Sequence, residues 1–169
     1  MLQEGKIILR PPGEKDKNIL AALANNKNVS SYLRNYFPFP YNLKDAETFI
    51  NLTKLQKPVT NFAIEFDGKF CGIISLVKQN DIYRKSAEIG YWLGEPYWNK
   101  GIITIAVKLI TGYGLNQLDL IRIFASVFEN NIGSMLALER NGYQKEGILK
   151  KAIFKNEQVW DEHRYAITI

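Results

Sequence analysis

Trp98-Asn99-Lys100-Gly101 lies between a run with strand character and an apolar helical run, and it is the first stretch that suggests chemistry. A helix N-terminus presents N–H groups without partners and a partial positive charge. Such an end takes a phosphate or pyrophosphate. Gly101 allows close approach of backbone to an anion, and Lys100 adds charge. The same residues also fit an ordinary capped helix start. Their glycine spacing matches neither a Walker A loop nor a dinucleotide fingerprint. Further along, Asn131 suits a helix N-cap, and Ser134 falls inside the first turn that follows. Thiol and imidazole chemistry is scarce, since the chain has one cysteine, Cys71, and one histidine, His163. That speaks against an internal disulfide and a structural zinc site, and no metal is expected. A Cys–His hydrolase would require His163 to face Cys71.

The 169 residues carry 22 Lys+Arg against 17 Asp+Glu, a net charge of +5. This balance favours anionic partners such as nucleotide cofactors, nucleic acid or acidic protein surfaces. No block of five like charges forms a basic arm, and no RNA-binding motif is present, so nucleic acid is the weakest of the three. No apolar run reaches the roughly 18 residues that span a bilayer. Met1-Leu2-Gln3-Glu4-Gly5 lacks the basic-then-apolar order of a signal peptide. The expectation is one reduced, cytoplasmic domain over residues 1–169, with no membrane partner.

These side chains need elements to hold them. Ile7–Arg10 reads as a strand stopped by Pro11-Pro12-Gly13. Asp16–Asn26 reads as a helix with Ile19, Leu20, Leu23 and Ala24 on one face, and Asp45–Lys57 as another with Phe49, Leu52 and Leu55 in register. Between them, Tyr32–Tyr41 packs five aromatics and two prolines into ten residues and reads as a loop. Asn61–Phe66 and Lys69–Val77 form a hairpin around Asp67-Gly68, a pair suited to a type I′ turn. Ser86–Leu93 is a strand whose alternation puts Ser86, Glu88, Gly90 and Trp92 on one face. Ile102–Leu115 reads as a helix, Arg122–Phe128 as a strand, and Ile132–Asn141 as a helix closed by Gly142. Lys150–Phe154 and Val159–Ile167 close the chain as an antiparallel pair turned at Asn156-Glu157. The class is mixed α/β (α+β), and the long helical crossover predicts that Ser86–Leu93 and Arg122–Phe128 are parallel.

Glu88-Ile89-Gly90-Tyr91-Trp92-Leu93, followed by Pro96-Tyr97-Trp98-Asn99-Lys100-Gly101-Ile102-Ile103-Thr104, resembles the central motif of the GNAT N-acetyltransferases. Asn131-Ile132-Gly133-Ser134, Asn141-Gly142-Tyr143 and Glu146-Gly147 are similar to a pattern of the branch of ribosomal-protein N-terminal (RimJ/RimL-like) acetyltransferases, and Ile8-Leu9-Arg10-Pro11 to its opening strand. The resemblance covers about residues 6–169 in order.

That resemblance implies the acyl-CoA N-acyltransferase fold: a mostly antiparallel seven-stranded sheet flanked by helices and splayed between its fourth and fifth strands. These would be Ser86–Leu93 and Arg122–Phe128. It implies acetyl-CoA as cosubstrate and a primary amine as acceptor, either a protein N-terminus or a small molecule, with direct attack in a ternary complex. Tyr91, Trp92 and Leu93 would pair with pantetheine, and Trp98, Asn99, Lys100, Gly101, Ile102, Ile103 and Thr104 would hold the pyrophosphate. Asn131 and Ser134 would also meet the cofactor. Trp98 and Ile103 depart from the family's phosphate motif, Ile103 being bulkier than the usual Gly or Ala. Gly90 would mark a bulge that splays the strand, or a small residue for packing.

For the chemistry, Glu88 is the candidate base or ammonium-binding charge, and Ser134 the candidate acid at the departing thiolate. The tyrosine that many family members use as acid falls at Leu138, which closes that route. Tyr32, Arg34, Tyr36, Phe37, Phe39 and Trp92 would build the acceptor wall. A homodimer is compatible with the branch. The alternative reading is a catalytically degenerate CoA-binding regulatory domain, which Trp98 and Ile103 suggest.

Overall fold

The computed structural model describes residues 1–169. One sheet of eight strands runs through them. Its strands are β1 (Leu2–Glu4), β2 (Ile7–Arg10), β3 (Asn61–Phe66), β4 (Lys69–Lys78), β5 (Ser86–Leu93), β6 (Arg122–Phe128), β7 (Gln144–Lys155) and β8 (Gln158–Thr168). Their order across the sheet is β1-β2-β3-β4-β5-β6-β8-β7. All neighbours are antiparallel except β5 and β6, which are parallel as the crossover demands. The helices are α1 (Lys17–Ala24), α2 (Lys27–Ser30), α3 (Leu43–Lys54), α4 (Ile102–Gln117) and α5 (Ile132–Glu139). No helix is long and apolar enough to cross a membrane.

The eighth strand is β1, which folds back on β2 through a turn with Gly5 at φ 56°. Three residues are too few to show alternation, so the seven-strand expectation omits it. Strands β7 and β8 are longer than expected. Residues 144–149 of β7 are largely exposed and lack an apolar stripe, and a bulge between Leu149 and Ile153 breaks the period. The two hairpin turns are as read, with Asp67 and Gly68 at φ 52° and 75°, and Asn156 and Glu157 at 50° and 60°. Helix α3 begins earlier than expected because Asn42 accepts from the N–H of Lys44 and Asp45, while the Asp45 carboxylate returns to the Asn42 N–H. Its buried stripe is Ala46, Ile50 and Thr53; Leu52 and Leu55 face solvent. Helix α1 likewise buries Leu20, Ala21 and Ala24 and leaves Ile19 out.

Two apolar layers flank the sheet. Ala87, Ile89 and Leu93 of β5 join Ile123, Ala125 and Val127 of β6 against Ile102, Ala106 and Ile110 of α4 and Leu138 of α5. On the opposite face, Ala63, Phe70 and Ile73 pack on Leu20, Ala24 and Ala46, with Phe37 and Trp92 at the margin. The strict alternation of β5 and β6 between these layers makes them the best-defined strands in the sequence.

An ionic knot fixes α1 to the sheet. The Arg10 guanidinium donates two hydrogen bonds of 2.7 Å to Asp16 and a third of 2.7 Å to Glu65. Asp16 is only 2% exposed, and its Oδ2 also accepts from the Gly13 N–H at 2.8 Å. Burial alone would raise the Asp16 pKa, but the bonds from Arg10 and Gly13 hold it below the ordinary carboxylate value. A depressed folded pKa stabilises the fold at pH values above the unfolded pKa, about 3.9, and that contribution is lost as pH falls through the folded pKa. Stability should therefore drop as the pH is taken below about 4. Asp16→Asn should cost about 3 kcal/mol at pH 7 by denaturant titration, because it removes the buried charge that accepts two of the three Arg10 hydrogen bonds and leaves only Glu65, and should flatten that acid limb. An unchanged midpoint would show that the knot contributes nothing.

Candidate active site

Strands β5 and β6 pair only at Ser86↔Arg122, Ala87↔Ile123 and Glu88↔Phe124. Past Glu88, β6 continues with β8 alone, and one edge of β5 is left open. Antiparallel pairing alternates the direction of backbone groups. On β5 the Ser86 carbonyl and the Gly94 N–H point to β4. The Trp92 carbonyl does too, since it lies 2.1 Å from where a Cβ on Gly72 would be. Ile89 and Tyr91 therefore present their backbone to the gap, and Leu93 its N–H, its carbonyl being taken by the Trp98 indole, an edge that an extended ligand can join like a strand. Trp92 does not, so its backbone is removed from the expected pantetheine contacts. Gly90 forms no bulge, because the β4–β5 register runs unbroken through Ser75↔Gly90. Nor does it serve packing, as a Cβ there would meet nothing nearer than the Ser75 hydroxyl at 4.0 Å.

At the end of β5 the chain turns into α4. Asn99 and Gly101 take left-handed φ values of 59° and 72°, and Gly101 is the N-cap, with no side chain to offer the helix. The backbone N–H groups of Asn99 through Thr104 donate to no protein acceptor, and the first helical bond is Ile105 N–H to Gly101 O. Six successive amides without protein acceptors, with Lys100 among them, thus lie at one helix N-terminus, a donor set that a pyrophosphate can use. The two departures from the family motif resolve structurally. Ile103 turns its side chain against the main core and leaves its N–H free. The Trp98 indole N–H donates to Leu93 O at 2.8 Å, so this side chain locks the loop to β5 instead of meeting an anion.

Glu88 lies at the point where the strands part. Its Oε1 accepts a 2.5 Å hydrogen bond from Arg34 Nη2, the one polar contact that joins the aromatic loop to the strand. Trp92, four residues on and on the same face, meets Phe37 edge-on at 5.8 Å. Phe37 also packs on Tyr41 at 5.0 Å and belongs to the second apolar layer. Tyr32 stands edge-on to Phe128 at 6.2 Å. It lines a cavity of about 210 Å³ together with Ser31, Phe128, Asn130, Lys155 and Trp160. Tyr36 is 80% exposed, and Phe39 also faces solvent.

On the opposite face, Asn131 caps α5 as the spacing suggested, its Oδ1 accepting from the Ser134 N–H at 3.3 Å. The Ser134 hydroxyl lies 2.7 Å from the Tyr91 phenol oxygen, and the Ser134 carbonyl is 3.4 Å from it. Burial pushes the Tyr91 pKa well above its usual value, so the phenol stays protonated. Either hydroxyl can be the donor in the 2.7 Å bond; where the phenol donates to Ser134 Oγ, the serine's own proton is free for another acceptor. This tyrosine partner was missed because the residues are 43 apart and only α5 packing against β5 joins them. Leu138 is fully buried in the main core.

Two other reactive side chains, Cys71 and Asp161, are engaged elsewhere. Cys71 is fully buried beside Ile64 O, and burial followed by the charge of Glu65 pushes its thiol up to about 12. Asp161 accepts from the Lys150 ammonium at 2.7 Å and the Lys151 N–H at 2.8 Å, so it closes the bulge of β7. His163 sits on β8 opposite Val127 and Ile148, and its Nδ1 is buried without a hydrogen-bond partner.

Residues 6–144 match the family model of the acetyltransferase (GNAT) domain. The chain is 40% identical over 98 residues to the probable N-acetyltransferase YjcK of Bacillus subtilis, which is 58% of this chain and 54% of that protein. It thus spans about half the length of that relative. It is 30% identical over 165 residues to the spermidine N(1)-acetyltransferase of Escherichia coli K12, covering 94% of this chain and 84% of the other. The crystal structure of the microcin C7 self-immunity acetyltransferase MccE, in complex with acetyl-CoA and AMP, superposes with a TM-score of 0.83 at 28% identity, over 98% of this chain and 94% of that one. The splayed parallel pair, the anion-ready start of α4 and these matches agree: the chain belongs to the GNAT acetyltransferase family.

Proposed function

We propose that the protein transfers an acetyl group from acetyl-CoA to a primary amine by direct attack in a ternary complex. The carrying observation is the adjacency of six unpaired amides at Asn99–Thr104 to the open edge of β5. The amides and Lys100 take the pyrophosphate, while the backbone of Tyr91 and Leu93 pairs with the pantetheine arm, which lays the thioester in the gap between Glu88 and Ser134. Relatives bearing the name N-acetyltransferase support the same reaction.

An α-amino group has a pKa near 7.7–8.0, so it arrives largely as ammonium at neutral pH. Glu88 receives that ammonium and draws its proton, directly or through water. The free amine nitrogen bonds to the thioester carbonyl carbon, the C–S bond breaks with its electron pair leaving on sulfur, and the proton lost by the acylated nitrogen ends on that sulfur to give the CoA thiol. Ser134 donates its hydroxyl hydrogen bond to that developing thiolate, held in orientation by the Tyr91 phenol. With a phenol pKa raised by burial, Tyr91 is a poor proton source and serves as a positioning residue. Tyr32, Arg34, Phe37 and Trp92 border the acceptor's side of Glu88. The reading of a cytoplasmic protein rests on the same reaction, which needs a pool of acetyl-CoA.

Glu88→Gln should lower the rate of thiol release tenfold or more while calorimetric binding of acetyl-CoA persists. Unaltered turnover would remove Glu88 from the mechanism. Binding of acetyl-CoA with no thiol release from any amine would favour the regulatory alternative instead. Ser134→Ala should lower kcat about tenfold, the loss of one hydrogen bond to a charged group, and Tyr91→Phe about threefold. The double variant should be no slower than Ser134→Ala, since Tyr91 acts through Ser134. Additive losses would make Tyr91 independent of the serine.

A further inference from the structure

The charges around Glu88 restrict what kind of amine can be accepted, given the acetyl-transfer reading. Three carboxylates around that wall already hold a cation, while Glu129, beside Phe128, accepts from the Asp161 N–H at 2.9 Å. Glu88 has Arg34 at 2.5 Å, and Glu162 has Arg164 at 2.6 Å. Glu146 has Arg122 at 2.5 Å, and that guanidinium keeps its carboxyl below the usual range. The Arg122 and Arg164 guanidiniums lie over the ring of Phe124, which is the residue opposite Glu88 in the strand register. Lys155 adds a further positive charge with no carboxylate beside it. It is 8% exposed, and its Nζ donates to Leu33 O at 2.6 Å and Asn35 Oδ1 at 3.3 Å. The wall is therefore balanced or positive. A polyamine, with several ammonium groups, would have to compete with an arginine at each of these three paired carboxylates.

The construction at Arg34 is specific. Lys155 grips the residue before it and the residue after it, and the Arg34 carbonyl accepts from the Phe37 N–H at 3.0 Å. The backbone is thus pinned on both sides, while the side chain is 58% exposed and its single ionic partner is Glu88. An incoming ammonium must take Glu88 from it. That releases a guanidinium beside the reacting amine, where only an anion would restore the lost pair.

We propose that Arg34 is the acceptor-selecting residue, and that the acceptor is an amine carrying its own anionic group close to the reacting nitrogen. The ammonium replaces Arg34 on Glu88, and Arg34 moves to the acceptor's carboxylate or phosphate. Lys155 is the positioning residue that sets the reach of Arg34.

The test measures binding to the CoA-loaded protein by calorimetry and thiol release with acetyl-CoA in parallel. The probes are Ala-Asp, Ala-Asn and Ala-Lys dipeptide amides, O-phosphoethanolamine and spermidine. The wild type should bind Ala-Asp amide at least about tenfold more tightly than Ala-Lys amide, in the range of a charge-assisted hydrogen bond, and more tightly than spermidine. Tight binding by O-phosphoethanolamine instead of Ala-Asp amide would identify a small-molecule acceptor with the same chemistry. Arg34→Gln should bring the Asp/Lys ratio to within about twofold, and Arg34→Glu should invert it. A ratio that survives Arg34→Gln, tighter binding of spermidine, or no binding of either anionic amine would overturn the proposal. Binding in the expected order without thiol release would sink the acetyl-transfer reading and leave the charge selection standing.

Discussion

The parallel pairing of β5 with β6 lasts three residues, and the rest of the site depends on its stopping there. A parallel ladder carried past Glu88 would consume the backbone groups of Ile89, Tyr91 and Leu93 and bury the space between the sheet's two faces. Because β6 is held on its other edge by β8 along its full length, β5 can part from it without unravelling the sheet. The parting leaves unpaired N–H and C=O groups, which is tolerable only where water or a ligand reaches them. It also brings two faces into reach of one point. Glu88 comes from the side of α1 and the aromatic loop, and Ser134, with Tyr91 behind it, from the side of α5. Helix α4 then begins just past the open edge, with its amides unspent.

The charged side chains divide into two kinds of work. Arg10, Asp16 and Glu65 form a closed set in which each charge has a partner, and it anchors α1 to the sheet. Around the gap, pairing is looser. Arg34 reaches Glu88 from a solvent-facing loop, and Lys155 uses its ammonium on neutral oxygens. Burial without a carboxylate lowers the Lys155 pKa, so this anchor is held less firmly than the knot at Arg10. An ion pair across the acceptor's path is a natural point of exchange, since one cation can replace another with little change in net charge.

Much of this was legible where one face of an element is buried and its period is strict. The bounds of β6 follow from Ile123, Ala125 and Val127 alternating with half-exposed neighbours, and the face of Glu88 from the same rule on β5. The caps at Asn131 and Gly142 follow from short-range chemistry, and both are where the spacing puts them. Misreadings arose where tertiary packing chose between equivalent local options. Leu52 and Leu55 are apolar and helically spaced, yet α3 turns Ala46 and Ile50 inward. Ile103 and Trp98 look hostile to a phosphate as residue types, but one side chain goes to the core and the other to Leu93 O. The Tyr91–Ser134 and Lys155–Leu33 contacts join distant segments, and no local signal announces them.

The central claim is that acetyl-CoA lies along the open edge of β5 with its pyrophosphate on the start of α4. Amide hydrogen exchange resolved by residue, with and without acetyl-CoA, tests it most directly. The N–H groups of Tyr91, Leu93 and Asn99–Thr104, free of protein acceptors, should exchange fast alone and become protected on binding. The Trp92 N–H, already directed to β4, should change little. Protection confined to other segments, or none at Asn99–Thr104 under saturating acetyl-CoA, would contradict the account.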